Sequence, residues 1–323
     1  MIIQNKKKFI KKIISWSGLF FFALAAFMIY KQLSKYSLDE IKNAIIEIPS
    51  KNIIYACIAS FLGYIALSSY DFLALKYINQ KLSAWKWIFA GFIGFSVSNN
   101  AGHAIVSGGA IRYRLYTRWR IKAGDIVKMV MFSGFTYLVA CFFLVIIGFS
   151  CSPQNILTSI SSPIINWLII GLSFAGMVFY ILGCTYYKKP IIIKEIAFYP
   201  PGFKMSIAQI IIGSADILMA SLVLYFILEY YVDIPFLTFI GAYIIAQLLG
   251  VYSQVPGGLG VFEIVFAKLL PDDQNQAVLF AILILYRIIY YLLPLIISGI
   301  ALITYELKQA RHLSNKKNNK TKK

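Results

Sequence analysis

The chain has 323 residues, 59% of them hydrophobic and only 14% charged, and its 31 Lys and Arg against 13 Asp and Glu give a net charge of +18. With a mean hydropathy of +0.73, this composition excludes an ordinary soluble domain, because several uncharged runs reach the roughly 20 residues that span a bilayer. The basic residues cluster in loops and tails, which indicates the positive-inside rule and contact with anionic lipid, so we expect no nucleic-acid partner.

Cysteine and histidine are too sparse to suggest a bound metal. The sequence has 4 cysteines, none in CxxC spacing, and 2 histidines. Such cysteines are typical of small buried hydrophobic residues. We therefore expect neither a metal site nor a cofactor.

The N-terminal part predicts a span, a surface helix and a second span. The basic segment 1–12 precedes the apolar run 13–30, which we interpret as an uncleaved first span with a cytoplasmic N-terminus. Hydrophobic residues then recur at helical intervals over 38–48, the pattern of a short amphipathic helix on the outer interface. A second span is predicted over 53–75, with Asp71 near its cytoplasmic end.

The next apolar segment, residues 85–105, predicts a hairpin instead of a span. It contains Asn99-Asn100 and leads to Gly108-Gly109, where we expect the helix to break, and then to Arg112 and further basic residues up to Lys122. A full crossing would place this basic cluster outside, against the positive-inside rule. A re-entrant hairpin keeps it in the cytoplasm.

Three more spans and a linker follow. The first two spans are predicted over 127–149 and 164–186. Residues 188–205 contain four lysines and the turn-forming Pro200-Pro201-Gly202, so we expect a cytoplasmic linker there. The third span, 206–231, carries Asp216.

A second broken segment covers residues 236–270. Proline and glycine interrupt it at Pro256-Gly257-Gly258 and Gly260, and Glu263 follows at once. In hydrocarbon an interrupted backbone survives only where protein or a water-filled cavity surrounds it. Broken backbone beside an ionisable group is typical of a transport site.

The chain closes with an acidic outer loop, residues 271–273, a last span over 276–305 that contains Arg287, and a basic cytoplasmic tail, residues 306–323. The predicted fold class is an all-α polytopic integral membrane protein. It has six full spans and two re-entrant or broken hairpins, eight hydrophobic segments in all, within one transmembrane domain over 13–305. We expect it in the cytoplasmic membrane with both termini inside.

The two halves, 13–187 and 206–305, predict an inverted repeat. Each contains a Ser-x-Asp within a span, at Asp71 and Asp216, and each continues to a Gly-Gly pair and then one ionisable residue. Since the first hairpin would enter from inside and the second from outside, the halves would be inverted, as in many secondary transporters.

The intramembrane charges have two interpretations. Each costs about 2.5–3.5 kcal/mol at the bilayer centre, so Asp71, Asp216, Glu263 and Arg287 require compensation. Internal pairing, for example of Glu263 with Arg287, would only lock helices together, and Asp71 and Arg112 could instead reach the interface by snorkelling. The glycines could serve close helix packing. Convergence beside two broken hairpins favours a translocation site.

Two motifs resemble the membrane-domain family of lysylphosphatidylglycerol synthase/flippase proteins, which includes the flippase part of the multiple peptide resistance factor. They are Asn99-Asn100 with Gly108-Gly109-x-x-Arg112, and Pro256-Gly257-Gly258-Leu259-Gly260-x-x-Glu263. The resemblance implies translocation of a polar or cationic phospholipid such as an aminoacylated phosphatidylglycerol. It implies that Asp71, Asp216 and Glu263 receive the cationic headgroup and that Arg112 holds the phosphate.

Several functional expectations follow from that resemblance. The tail after Tyr305 is too short for an aminoacyl-transferase domain, so we expect no catalysis by this chain and a separate lipid-modifying synthetase as partner; oligomers are possible. The rival hypothesis is an accessory protein of envelope assembly that serves a polyprenyl-phosphate glycosyltransferase. An intramembrane enzyme has no support, because no nucleophile–base pair stands out.

Overall fold

The computed structural model describes residues 38–101, 104–151, 163–193, 196–253, 255–270 and 276–321. The predicted N-terminal segment and first span (1–30) and the acidic loop (271–273) lie outside the described residues. Helices form nearly all of the described chain. Their bounds are α1 Leu38–Glu47, α2 Ser50–Tyr77, α3 Ala84–Ala101, α4 Ala104–Arg118, α5 Ala123–Cys151, α6 Pro163–Tyr186, α7 Phe203–Leu228, α8 Phe236–Tyr252, α9 Val261–Leu269, α10 Gln276–Arg287 and α11 Leu293–Thr321.

Five stretches of the described residues are long and apolar enough to cross a membrane. They are α2, α5, residues 164–186 of α6, α7, and residues 277–311, which join α10 to α11. Each coincides with a span predicted from the sequence. The sixth predicted span falls outside the described residues, so the structure confirms a polytopic helical membrane protein and leaves the full count a prediction.

Two further segments, residues 38–48 and the predicted linker 188–205, contain regular structure. Helix α1 covers the predicted amphipathic segment, and its Ala44 packs against Ala281 of α10. The linker contains a short antiparallel β-hairpin, β1 Ile191–Ile193 and β2 Ile196–Phe198, which the sequence did not predict. This β-hairpin is bound to the bundle, because Tyr77 Oη donates to the carbonyl of Tyr199 at 2.7 Å.

The bundle has two ends, which we name by a tyrosine at each. At the Tyr305 end, Arg118 forms a bidentate ion pair with Glu306, and Trp119 Nε1 donates to Tyr305 Oη at 3.2 Å. At the Tyr231 end, Tyr231 Oη donates to Glu47 at 3.3 Å, and Asn52 Nδ2 donates to Glu229 at 3.1 Å. Helix α2 begins at the Tyr231 end and finishes at the Tyr305 end. The directions of the other helices are described relative to these two ends.

Helices α3 and α4 form the first hairpin, with its base at the Tyr305 end. The rings of Trp85 and Trp119, at the start of α3 and just after α4, lie 5.6 Å apart. The helices touch closely further along, because a Cβ added to Gly108 would clash with Ser98 Oγ and lie 2.7 Å from the Gly94 carbonyl oxygen.

The prediction that this hairpin breaks at Gly108-Gly109 is wrong. Both glycines lie within the continuous helix α4, which begins at Ala104. Gly108 serves the close packing of two helices, the alternative role for small residues in membranes. Asn99 and Asn100 likewise belong to the last turn of α3 rather than to a break.

Helices α8 and α9 form the second hairpin, with its base at the Tyr231 end. The ring pairs Phe239–Phe266 (5.7 Å) and Tyr243–Phe262 (5.7 Å) show that the two helices run side by side in opposite directions. A 3₁₀ turn, Pro256–Gly258, lies between them. The two hairpins thus enter from opposite ends, and their tips meet, since a Cβ on Gly257 would lie 3.4 Å from the Asn99 carbonyl oxygen.

Candidate functional site

The tip of the second hairpin has a backbone that only glycine adopts readily. Gly257, Gly258 and Gly260 have φ angles of 60°, 63° and 80°, in the left-handed region that disfavours any side chain. Helix α9 begins directly after this turn, so Glu263 lies in its first turn. Regular helix is thus interrupted from Pro256 to Gly260, the segment in which the sequence predicts a break.

Glu263 and Arg287 form a buried ion pair at this tip. Arg287 Nε donates to Glu263 Oε1 at 2.8 Å, and Arg287 Nη2 lies 2.7 Å from the same oxygen. The second carboxylate oxygen, Oε2, accepts from the backbone N–H of Gly260 at 2.7 Å, while Arg287 Nη1 donates to the carbonyl of Gly257. Both members of the pair therefore hold the broken backbone in place.

A π-helical turn, Ile288–Leu292, follows Arg287 directly and separates α10 from α11. Three of its carbonyls accept side-chain hydrogen bonds, each at 3.1 Å: that of Ile289 from Ser60, that of Tyr290 from Tyr64, and that of Tyr291 from Asn100 Nδ2. Such turns are frequent at functional sites. This one links α2 and the tip of the first hairpin to the last span.

Asp71 and Arg112 form the second buried ion pair. Arg112 Nε donates to both carboxylate oxygens, at 2.8 Å and 3.1 Å, and Tyr116 Oη donates to Oδ2 at 2.8 Å. The guanidinium carbon lies 4.1 Å from the centre of the Phe95 ring, a cation–π contact. Asp71 is 0% and Arg112 3% exposed, so neither reaches the interface by snorkelling.

Arg112 retains a hydrogen-bond donor that the described residues do not use. Its Nη2 is buried and has no hydrogen-bond partner in the described part of the chain. A buried guanidinium nitrogen without an acceptor is costly. The ion pair as a whole is neutral, because the Asp71 carboxylate balances the charge of the guanidinium group. Arg112 can still donate a hydrogen bond through Nη2 to an oxygen atom of a ligand.

Asp216 is the third buried acid, and it has no basic partner within ion-pair distance among the described residues. Tyr70 Oη donates to Oδ2 at 3.0 Å, and Tyr290 Oη lies 3.4 Å from Oδ1. The described residues also contain no group of three or more His, Cys, Asp or Glu that could hold a metal ion.

The structure joins the predicted residues into one connected region. Asn99, Asn100, Gly257, Glu263 and Arg287 meet where the two tips touch. Asp71 and Arg112 lie toward the Tyr305 end, where Arg112 packs against Gly94 and Gly108, while a Cβ added to Gly109 would lie 3.8 Å from Val130 Cγ2. Asp216 connects to the π turn through Tyr290.

The sequence did not single out the tyrosines that bind the acids. Tyr116 lies four residues after Arg112, and Tyr70 directly precedes Asp71. Residues four apart share one face of a helix, so the spacing of Arg112 and Tyr116 was a usable signal. Tyr70 gave none, because it binds Asp216 on another helix.

Comparison with known proteins places this architecture among lipid-related membrane proteins. Residues 15–298 match the family described as the lysylphosphatidylglycerol synthase TM region. The Synechocystis protein slr0712 is 32% identical over 91% of this chain and 92% of its own length, and the Escherichia coli inner membrane protein YbhN is 26% identical over 95% of each. A phosphatidylglycerol lysyltransferase of Staphylococcus xylosus is 27% identical over 89% of this chain, which covers 33% of that longer protein.

Proposed function

This chain belongs to the lysylphosphatidylglycerol synthase membrane-region family, and from that premise we propose that it moves a polar or cationic phospholipid between the leaflets of the cytoplasmic membrane. The aminoacyl-phosphatidylglycerol class is the proposed substrate. The staphylococcal relative, as its name states, transfers lysine to phosphatidylglycerol. A membrane domain that is similar to part of such a protein is well suited to handle the resulting lipid.

The observation that carries the proposal is the meeting of two hairpin tips within the bundle. Hairpins that enter from opposite ends bring the interrupted backbone at Gly257 against the last turn of α3 at Asn99. In secondary transporters such broken elements bind the substrate near the midplane while the surrounding helices rock. We propose the same use here, with the halves acting as an inverted repeat.

The Asp71–Arg112 pair is proposed as the main binding group for the headgroup, with Glu263 as a second acidic group. Arg112 offers its unused Nη2 donor to the lipid phosphate, because guanidinium groups match phosphate geometry. The ammonium group of an aminoacyl headgroup would then approach Asp71 or Glu263, in exchange for part of an existing ion pair. The acyl chains would remain in the bilayer alongside.

The orientation and the partners are part of the same proposal. The basic residues concentrate at the Tyr305 end and in the tail, which favours a cytoplasmic location of that end. The lipid would be made by a separate synthetase, and this chain would contribute transport without aminoacyl transfer.

A reconstitution experiment tests the function. Purified protein is placed in proteoliposomes with headgroup-labelled lysyl-phosphatidylglycerol, phosphatidylglycerol or a polyprenyl phosphate, and exposure in the outer leaflet is followed over time. We expect exposure of lysyl-phosphatidylglycerol to be faster than in protein-free liposomes. The variant Glu306→Gln alters an exposed ion pair far from the tips. It serves as a control substitution and should transport at the wild-type rate.

The accessory-protein hypothesis makes the opposite prediction. No transport of any of the three lipids, together with co-purification of a glycosyltransferase, would replace our proposal by that one. The structure provides less support for it, because Arg114 and Arg118 of the basic cluster are both paired with Glu306 instead of being free for docking.

A further inference from the structure

The surroundings of Asp216 differ from those of the other two buried acids. Asp71 and Glu263 each face an arginine, whereas Asp216, at 4% exposure, has only hydroxyl partners among the described residues. An isolated carboxylate in a low-dielectric interior is strongly unfavourable, and such groups are neutralised by a bound cation or by a proton. We propose that Asp216 is a proton-binding site, which takes up and releases one proton during the working cycle.

The ligand set favours a proton over a metal ion. Hard metal cations in proteins take about six or more oxygen ligands, but the carboxylate of Asp216 has two hydroxyl partners in the described structure. No cluster of acidic, histidine or cysteine ligands surrounds it within the described ranges. One proton neutralises the group without any additional ligand.

The two tyrosines suit both protonation states. A hydroxyl group is a donor and an acceptor, so Tyr70 and Tyr290 can donate to the carboxylate, and Tyr290 can accept from the neutral acid. The 3.0 Å contact to Tyr70 is a firm hydrogen bond, while the 3.4 Å contact to Tyr290 is loose. Oδ1, on the loose side, is therefore the oxygen that we assign to the exchangeable proton.

No charged side chain faces Asp216 from the described helices around it. The titratable groups with which it interacts come from α2, α5 and the π turn, and all are hydroxyls or a thiol: Tyr64, Tyr70, Tyr137, Cys141 and Tyr290. None of these groups carries charge at neutral pH. Proton exchange at Asp216 therefore changes the net charge of this part of the bundle.

A change at Asp216 is transmitted to the hairpin tips through Tyr290. Tyr290 belongs to the π turn, and so does the following residue, Tyr291. The backbone carbonyl of Tyr291 accepts a hydrogen bond from Asn100 at the tip of the first hairpin. Proton binding would then bias the contact between the tips. This coupling, unlike the proton site itself, rests on the proposed transport function.

Infrared difference spectroscopy on the full chain in lipid tests the proton site without any transport. Spectra are recorded between acidic and alkaline buffer, in H₂O and D₂O, for the wild type, Asp216→Asn and Asp216→Glu. We expect one C=O stretching band of a buried carboxylic acid that weakens with alkali, disappears in Asp216→Asn and shifts in Asp216→Glu. Asp71→Asn, which alters an arginine-paired acid, should retain the band.

Three results would overturn the proton site. They are the absence of a carboxylic-acid band in the wild type, an unchanged band in Asp216→Asn, and loss of the band when Na⁺ is added at constant pH, which would identify a metal cation instead. Asp216→Glu keeps an acid at this position, so it separates loss of the proton site from a failure of Asp216→Asn to fold.

A transport arm tests the coupling. A pH gradient across the proteoliposomes should change the rate of lipid movement at least severalfold in the wild type and leave Asp216→Asn unaffected. A wild-type rate that does not depend on the gradient would refute the coupling. If no variant moves any lipid, the proposed function fails, while the infrared spectra still decide the proton site.

Discussion

The two buried arginine–carboxylate pairs contain the same chemical groups in opposite arrangements. In the first hairpin the arginine, Arg112, belongs to the hairpin and its acid to a span; in the second the acid, Glu263, belongs to the hairpin and its arginine to the last span. Arg287 also binds the Gly257 carbonyl, and Glu263 also binds the Gly260 N–H. Nη2 is buried without a hydrogen-bond partner among the described residues in both arginines, although Arg287 Nη2 lies 2.7 Å from Glu263 Oε1 within its ion pair.

This difference separates two uses of a buried charge. The pair at the second hairpin replaces hydrogen bonds that the broken backbone has lost, so it should contribute mainly to stability. The pair at the first hairpin lies against continuous helices and holds no broken backbone in place, so it should contribute mainly to ligand binding. The following substitutions test that division.

The largest effect is expected from Glu263→Gln. Removal of one member of a buried ion pair leaves the other charge uncompensated and costs about 3–5 kcal/mol. We expect a clear loss in the free energy of unfolding, measured by denaturant titration of the purified protein in detergent. The double variant Glu263→Gln/Arg287→Met removes both charges and should recover part of the loss; a single variant as stable as the wild type would contradict the structural role.

Arg112→Lys should have an intermediate effect, on transport and not on folding. Lysine keeps the charge opposite Asp71 but lacks the planar fork of donors. Loss of one hydrogen bond to a charged group, about 1.5–3 kcal/mol, corresponds to roughly 10- to 160-fold slower lipid movement.

The matched control for this variant is Arg118→Lys, the same chemical change in the exposed pair with Glu306. It should transport at the wild-type rate. Equal rates for the Arg112 and Arg118 variants in the proteoliposome assay would argue against a ligand-binding role for Arg112.

The smallest effect is expected from Gly109→Ala. This residue is helical, and the nearest atom to an added Cβ is Val130 Cγ2 at 3.8 Å, so alanine should stabilise the protein by up to about 1 kcal/mol. Gly258→Ala should do the reverse and cost about 1–3 kcal/mol. At that position φ is +63° and a Cβ would lie 3.0 Å from the Gly250 Cα.

Unfolding midpoints of these two variants, measured side by side, show whether the glycine pairs differ as described. A shift of the unfolding midpoint in the same direction for both variants would mean that the two glycine pairs have the same structural role.

The spans and the second break were predictable because they depend on local composition. Twenty apolar residues have few alternatives to a membrane helix, and Pro256-Gly257-Gly258 cannot continue one. The first break was misplaced at Gly108-Gly109, because glycine that packs against a neighbouring helix cannot be distinguished by sequence from glycine that needs a positive φ.

The partners of the buried charges were only partly predictable. Pairing of Glu263 with Arg287 was foreseen as one alternative, whereas the tyrosine partners of Asp216 come from α2 and the π turn, far apart in sequence. The π turn itself was not predicted, since Ile288–Leu292 has the apolar composition of an ordinary helix. The β-hairpin in the linker depends on docking against Tyr77, a tertiary contact.

The π turn also sets the rotational phase of the last helix. One additional residue in a helical turn rotates everything that follows by about 100° relative to an uninterrupted α-helix. Tyr305 and Glu306 therefore face Trp119 and Arg118 only because the turn is present at Ile288–Leu292. Conversion of that turn into regular α-helix would rotate Tyr305 and Glu306 away from the base of the first hairpin. The single additional residue of the π turn therefore couples the centre of the bundle to the charged residues at the Tyr305 end.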